Sequence, residues 1–158
     1  MRRVWRLLIV ALFTLTPAIS FGGPAEGVVS VVTHWAEAFN ANDVDSLVDL
    51  YAPDATLIGT TGPSLIEGKN AVHSYFSRLA NSGDKVSVEV SKAIVLHDDV
   101  AYVTGLYTFG GVRHGQARTT QAAFTLVLVK RGSNWLIVHH HSSRRSAPPT
   151  AAPPLRRG

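Results

Sequence analysis

The sequence contains no cysteine in 158 residues and no apolar run of the length that crosses a membrane. Without cysteine, neither a disulfide nor a lipid-modified cysteine can form, so the folded part must depend on its hydrophobic core. The longest apolar stretch, from Leu7 to Ile19, has 13 residues, whereas a spanning helix needs about 20. The length itself suits one small domain, and nothing in the sequence supports a multidomain enzyme.

An excess of acidic charge is also lacking, since 15 Lys and Arg stand against 11 Asp and Glu, for a net charge of +4. Such a balance is typical of proteins that bind nucleic acids. However, 7 of the 15 basic residues lie within residues 1–20 and 144–158, and residues 21–143 carry 8 basic against 11 acidic side chains. We therefore expect no nucleic-acid partner.

The two ends of the chain differ in composition from the middle. Residues 1–20 begin with three arginines, continue with the apolar run and end in small residues, a pattern typical of a secretory signal peptide. An uncleaved membrane anchor is the weaker alternative. We expect export to the periplasm or the medium, a linker over residues 21–24, and no membrane span after cleavage. Residues 146–158 are rich in Pro and Ala and predict a disordered tail.

Between the ends, residues 25–145 place helices first and strands after. Val28, Val32, Trp35 and Phe39 recur at helical spacing and predict a helix over residues 25–40. A second, short helix is expected after Asn42 or Asp43, with its inward side chains at Val44, Leu47, Val48 and Tyr51, and a third after Gly68.

From Lys85 onward the apolar period changes to two, which predicts four strands in a meander of antiparallel hairpins. The expected turns lie at Asp98-Asp99, at Gly110-Gly111 and over residues 131–134. Helices in the first half and a meander in the second indicate an α+β domain with its helices on one face of a curved sheet.

Several motifs resemble the nuclear transport factor 2-like superfamily, which includes SnoaL-like proteins. They are Trp35…Phe39-Asn-Ala-Asn-Asp, Leu50-Tyr-Ala-Pro-Asp54-Ala, Ile66-Glu-Gly-Lys69 and Trp135…His139-His-His141. Because Arg118-Thr-Thr-Gln121 precedes that last motif, the chain is most similar to the association domain of calcium/calmodulin-dependent protein kinase II and its free-standing bacterial relatives. The resemblance implies a cone with a partly polar cavity and a homodimer or larger homo-oligomer formed through the sheet.

The resemblance also implies that Arg118 belongs to a charged pocket. This sequence departs from the association domain at Thr104, where that domain has a second arginine, and at Ala122 and Ala123, where it has glutamates. We therefore expect a less charged pocket. The charge of Arg118 is expected to be neutralised either by a carboxylate of the protein, from Glu67 or a helix, or by a ligand.

The three consecutive histidines of the last strand are the sharpest candidates for a site. Alternation along a strand would place His139 and His141 on the concave face with Trp135 and Ile137, and His140 on the outer face. A hydrogen-bonded core histidine is the equally weighted alternative for His139. The residues expected to line the ligand pocket are Trp35, Tyr51, Phe76, Tyr107, Arg118, Thr120, His139 and His141.

A metal ion would need a third ligand beside His139 and His141, from His73, His114 or Asp54. Because no second ligand pair has a recognisable spacing, we expect neither a metal nor another cofactor. Asp54 follows a proline at a turn, where its carboxylate is expected to accept backbone hydrogen bonds.

Three functions remain open, of which the third is a subunit or modulator of an envelope complex with residues 146–158 as its tether. The first is an exported domain without catalysis that binds a small molecule and associates with itself. The second is a small-substrate enzyme of isomerase, cyclase or hydrolase type that uses His139 or His141 as a base and Arg118 to hold an anionic group. No acidic residue lies between Ala101 and Ser142, and the position of the ketosteroid isomerase base holds Ile58, Gly59 or Thr60. These missing carboxylates favour the first function.

Overall fold

The computed structural model describes residues 23–62, 64–78 and 82–146. Its helices are α1 (Pro24–Ala41), α2 (Val44–Asp49) and α3 (Lys69–Ser77). The strands are β1 (Tyr51–Ile58), β2 (Leu65–Glu67), β3 (Lys85–His97), β4 (Val100–Arg113), β5 (Gln116–Arg131) and β6 (Asn134–Arg144). The predicted α+β class is confirmed. The predicted signal peptide and all of the predicted tail except Ser146 lie outside the described residues.

Helix α1 forms as its periodicity predicts. Pro24 occupies the first turn, where the missing N–H costs nothing, and Asn42 ends the helix in the left-handed conformation at φ 58°. Its buried side chains recur every three or four residues and face the sheet: Val28, Val31, Val32, Trp35 and Phe39. None of the described helices is both long and apolar enough to cross a bilayer.

Helix α2 begins at a side-chain cap. The backbone N–H of Ser46 donates to Asp43 Oδ1 at 3.0 Å. This hydrogen bond, together with one from the Ser46 side chain, lowers the pKa of Asp43. Contrary to the prediction, Tyr51 does not continue this helix but starts β1, where it pairs with Ile137 of β6. Pro53 contributes to the difference, because it disfavours helical backbone at Ala52, so the helix cannot continue past Tyr51.

The six strands form one unclosed sheet in the order β2-β1-β6-β5-β4-β3. Every neighbouring pair is antiparallel except β1 and β6, and the predicted meander of β3 to β6 is confirmed. Gly110 and Gly111, expected at a turn, lie inside β4. The turn is His114-Gly115, with φ values of 53° and 76°, which matches the two-residue type I′ loop that follows the twist of a hairpin.

The core lies between the concave face of this sheet and the three helices. Alternate residues of β5 point into it, namely Ala122, Phe124, Leu126 and Leu128. Helix α1 packs against β3, β4 and β6, and α3 packs against β1. The hydrophobic cluster therefore fills one side of the cone and leaves the other end, near Thr60 and Arg118, open.

Candidate functional site

A β-bulge in β6 determines which histidines face the core. Ile137 pairs with Leu128 and His139 pairs with the adjacent Val127, so Val138 is an extra residue on β6. Beyond it the alternation is inverted: His140 and Ser142 are buried, whereas His141 is exposed. The prediction that His139 and His141 face the cavity and His140 the outer surface was therefore wrong.

His140 is 3% exposed and stands at the end of a buried hydrogen-bond chain. Trp35 Nε1–H donates to the Tyr51 hydroxyl oxygen at 2.9 Å, and that hydroxyl lies 2.7 Å from His140 Nδ1. Because the Tyr51 oxygen accepts a hydrogen bond from Trp35, the Tyr51 hydroxyl uses its own proton to donate to His140 Nδ1. The imidazole proton of His140 is then on Nε2. Within the described residues, His140 Nε2 has no hydrogen-bond partner.

Burial keeps this imidazole neutral. Desolvation, with smaller contributions from His139 and His141, lowers the pKa of His140 to about 3. Burial likewise raises the pKa of Tyr51 well above its usual value. At neutral pH the group therefore offers an N–H donor on Nε2, while its Nδ1 lone pair is engaged by Tyr51.

Three hydroxyls form a second polar cluster beside His140. The Tyr107 hydroxyl donates to Ser142 Oγ at 2.5 Å, and Ser142 Oγ also bonds Thr60 Oγ1. Burial raises the pKa of Tyr107 to about 12, so this phenol remains protonated and able to donate. His140 and the hydroxyl cluster line one small space of about 20 Å³, which we call the inner chamber. The rest of its wall is apolar or aromatic: Trp35, Phe39, Leu57, Gly59, Tyr75, Phe76 and Phe109.

Beyond Tyr75 the space widens into an open recess of about 600 Å³, which we call the outer recess. Arg118 of β5 and Arg144 of β6 line it, together with Asp84, His114 and Thr120. Phe39, Thr60, Tyr75 and Phe109 border both the chamber and the recess. The two spaces are therefore neighbours along one opening of the cone.

The fit of Tyr75 between the two spaces depends on a glycine. A Cβ added to Gly59, which follows β1 directly, would lie 2.2 Å from the Tyr75 hydroxyl oxygen, so no other residue type at this position would admit the ring without movement. On its other side, the guanidinium of Arg78 lies 5.7 Å from the centre of the Tyr75 ring. Tyr75 thus separates the chamber from the recess.

The residues predicted to line a pocket are divided between these spaces. Trp35, Phe76 and Tyr107 border the chamber, and Arg118 and Thr120 border the recess. Tyr51 lies behind the chamber and holds His140, whereas Thr56 Oγ1 lies 2.7 Å from His139 Nδ1 on the outer side. Contact of these residues with a ligand stays a prediction.

The expected partner of Arg118 is not found. Arg118 is exposed, and within the described residues it forms no ion pair with Glu67 or any helix carboxylate. Several residues of the site were not predicted, among them Thr60, His140, Ser142 and Arg144. The last three follow the bulge, and their positions could have been found only by recognising the extra residue in β6.

The other candidate ligands lie apart. Asp54 accepts two hydrogen bonds from Arg131, at 2.9 and 3.0 Å, and these, together with a hydrogen bond from the Asp54 backbone itself, lower its pKa. An ion pair is therefore added to the predicted backbone hydrogen bonding. His73 contacts Asp45 at 3.1 Å on the surface of α2 and α3. Among the described residues, no three side chains of the metal-ligating types come together.

Comparison with known proteins gives a family and a fold. The sequence matches the family described as SnoaL-like domain over residues 28–147. A solved structure from Xanthomonas campestris, named as a candidate calcium/calmodulin-dependent protein kinase II association domain, is 30% identical with a TM-score of 0.72, and the match covers 86% of this chain and 98% of that one.

Two further structures share the fold at lower identity. The association domain of Caenorhabditis elegans calcium/calmodulin-dependent protein kinase II is 22% identical, with a TM-score of 0.65 and coverage of 75% and 93%. A candidate dehydratase of the nuclear transport factor 2-like family from Streptomyces avermitilis is 18% identical, with a TM-score of 0.68 and coverage of 77% and 97%. No curated protein sequence matches this one. The match over residues 28–147 and the Xanthomonas relative together establish that the chain belongs to the SnoaL-like domain family, within the nuclear transport factor 2-like fold.

Proposed function

We propose that this chain is an exported, self-associating domain that binds a small organic anion with an apolar body in the opening of its cone. The observation that carries the proposal is the outer recess, in which Arg118 and Arg144 stand at the entrance to an aromatic chamber. Arginine forms directed, charge-assisted hydrogen bonds with carboxylates and phosphates, and an aromatic wall favours an apolar group behind them.

The charge of the recess supports an anion rather than a cation. Among the described residues that line it, two are arginines and one, Asp84, carries a carboxylate. Arg118 has no ion-pair partner in the part of the chain that the structure describes, so its guanidinium is available to a ligand. A ligand carboxylate could engage it without displacing an existing ion pair.

Binding is favoured over catalysis by what lines the chamber. Within the described residues no Asp or Glu borders the inner chamber, and the one imidazole there uses its Nδ1 lone pair to accept from Tyr51. A general base within reach of a substrate is therefore lacking at this point. The enzyme hypothesis relied on His139 and His141, which lie on the outer side.

Isothermal titration calorimetry of the full chain with hexanoate and its uncharged amide tests the binding site. We expect the acid to bind more tightly than the amide, and the variant Arg118→Gln with Arg144→Gln to bind the acid about tenfold or more weakly. Arg131→Gln, which removes an arginine bound to Asp54 outside the recess, is the matched control. Equal affinity for acid and amide would contradict the proposal.

Self-association is supported by the outer face of the sheet and by the similarity to proteins named as association domains. Thr125, Val127 and Val129 of β5 and Leu136 of β6 are only partly buried there. His140, which was expected to belong to this set, does not. An apolar sheet face of this kind is typical of an interface between copies.

Export is supported by the composition of residues 1–20 alone. Amino-terminal sequencing of the protein recovered from the cell envelope or medium tests it, with a new terminus expected close to Ser20. Recovery of the chain only inside the cell, with Met1 or Arg2 first, would contradict export and leave the binding site unaffected.

A further inference from the structure

We infer that the inner chamber recognises one uncharged oxygen acceptor, of the ketone or other carbonyl class, at the end of the ligand opposite its anionic group. This inference rests on the proposed function, because it assigns the second end of the ligand that Arg118 and Arg144 are proposed to hold. The ligand class is therefore an oxo acid with an apolar spacer between its carboxylate and its carbonyl.

The unpartnered nitrogen of His140 is the first reason. The side chain is 3% exposed, and its Nε2 is buried without a hydrogen-bond partner in the described residues. Buried donors are almost always satisfied by protein, water or ligand, because an unmade hydrogen bond is costly. Tyr51 holds Nδ1, so the ring cannot turn to satisfy Nε2 without breaking that bond.

The two spaces beside the imidazole differ in what they offer. One is a void of about 10 Å³ whose other walls are aliphatic or aromatic, including Val32, Phe124 and Leu126. The other is the inner chamber, whose wall contains the hydroxyl cluster of Thr60, Tyr107 and Ser142. An acceptor atom that binds Nε2–H from the chamber would also lie beside these hydroxyls. An acceptor atom in the void would have no hydroxyl group beside it.

Size and charge restrict the acceptor. A space of about 20 Å³ is enough for one water molecule or one oxygen atom with its carbon, and too small for a ring. Within the described residues no Lys or Arg borders the chamber, so a carboxylate placed there would be buried without a counter-charge. A neutral carbonyl oxygen accepts the available hydrogen bonds without that penalty.

The path between the two ends is short and apolar. Phe39, Tyr75 and Phe109 border both the chamber and the recess, so one molecule can reach from the arginines to His140 along them. Tyr75 borders both spaces and packs against Gly59.

The test compares oxoalkanoates of five to eight carbons, each with its ketone on the penultimate carbon, with the straight-chain alkanoate of the same length. Calorimetry on the full chain should show one oxo acid binding about tenfold more tightly than its alkanoate, the effect of one good buried hydrogen bond. His140→Phe should remove this preference and leave the alkanoate affinity within about threefold. His141→Phe, on the outer side, is the matched control and should keep the preference.

A spectroscopic measurement decides the case in which His140→Phe does not fold. In ¹⁵N-labelled wild-type protein, the Nε2–H resonance of His140 should shift on addition of the preferred oxo acid and not on addition of the alkanoate. If oxo acid and alkanoate bind equally and both are weakened in Arg118→Gln, the chamber holds only water, and this inference is overturned while the anion site stands. If no acid binds at all, the proposed function fails with it.

Discussion

At His140, burial and a single hydrogen bond act on the same side chain. The imidazole is neutral because it is buried, and its tautomer is selected because Tyr51, itself bound by Trp35, donates to Nδ1. Three residues from α1, β1 and β6 thus determine one property, a fixed N–H donor beside the chamber. This link has consequences for stability that can be measured without any ligand.

The first is a dependence of stability on pH. The pKa of His140 is about 3 in the folded protein and near 6.5 when the chain is unfolded, so between these values the unfolded chain binds a proton that the folded chain does not. The free energy of unfolding should therefore fall on acidification from about pH 6.5, by at most about 1.4 kcal/mol per pH unit.

Urea unfolding at several pH values between 6.5 and 4.5, in wild type and His140→Phe, measures this contribution. The variant should lose less stability per pH unit than wild type. Phe124→Leu, a core substitution that removes no titratable group, should run parallel to wild type at every pH. Parallel curves for wild type and His140→Phe would show that the imidazole is not held neutral by the fold.

The second consequence concerns the Tyr51 hydroxyl. Tyr51→Phe leaves both Trp35 Nε1–H and His140 Nδ1 buried without a partner, and we expect a loss of about 1–3 kcal/mol in the free energy of unfolding. Tyr102→Phe on the outer face removes a half-exposed hydroxyl and should change stability by less than about 0.5 kcal/mol. Similar losses in both variants, measured by urea unfolding, would contradict a stabilising role of the hydrogen bonds that join Trp35, Tyr51 and His140.

How far single residues could be predicted depends on their distance from irregular backbone. Trp35, Phe76 and Tyr107 could be placed near a cavity from helical or strand periodicity. His139 and His141 could not, because the one extra residue at Val138 reverses the alternation of every residue that follows. Nothing in the run Ile137-Val-His-His-His141 distinguishes a bulged strand from a regular one.

Among the elements, α3 contacts the residue that directly follows β1, through Tyr75 against Gly59. Gly59→Ala should displace the tyrosine and cost about 1–3 kcal/mol, as overpacking usually does, because the new Cβ would lie 2.2 Å from its hydroxyl oxygen. Gly110→Ala is the matched control, since a Cβ there has nothing within 4 Å. Thermal unfolding compares the two, and in a Tyr75→Ala background the penalty of Gly59→Ala should largely disappear. If Gly59→Ala destabilises the Tyr75→Ala variant as much as the wild type, the destabilisation does not arise from contact with Tyr75.

The order and type of the elements could be predicted more fully than their ends. The periodicity of α1 and the alternation of β3 to β6 gave an α+β domain with a meander, as observed. The end of β4 was predicted wrongly, because a glycine pair inside the strand resembles a turn. Gly110 and Gly111 suggested a turn, but the hairpin turns at His114-Gly115, where two adjacent residues adopt the positive φ that a type I′ turn requires. The pairing of β1 with β6 depends on the whole sheet and has no local signal.

At the scale of the whole molecule, the charges divide into regions with different roles. Residues 21–143 are net acidic, yet Arg118 lines the recess with Arg144, which follows directly. The attraction for an anion is therefore local to the recess, and nearby acidic charge limits its reach. The overall charge of +4 reflects basic residues at the two ends of the chain; of the two that the structure describes, Arg144 and Arg145, Arg144 lines the recess.

The outer face of the sheet gives the last prediction. If two copies pack through this face, Val127→Lys places an ammonium group in the interface without a counter-charge, and the assembly should dissociate to single chains. Light scattering at micromolar concentration measures the mass, and circular dichroism checks that the fold is kept, since Val127 points away from the core. Gln116→Lys adds the same charge at the exposed start of β5 and should leave the mass unchanged. A wild-type protein that is monomeric at this concentration would refute the proposed self-association, while the recess and the chamber, both on the concave side, would still be open to the binding tests.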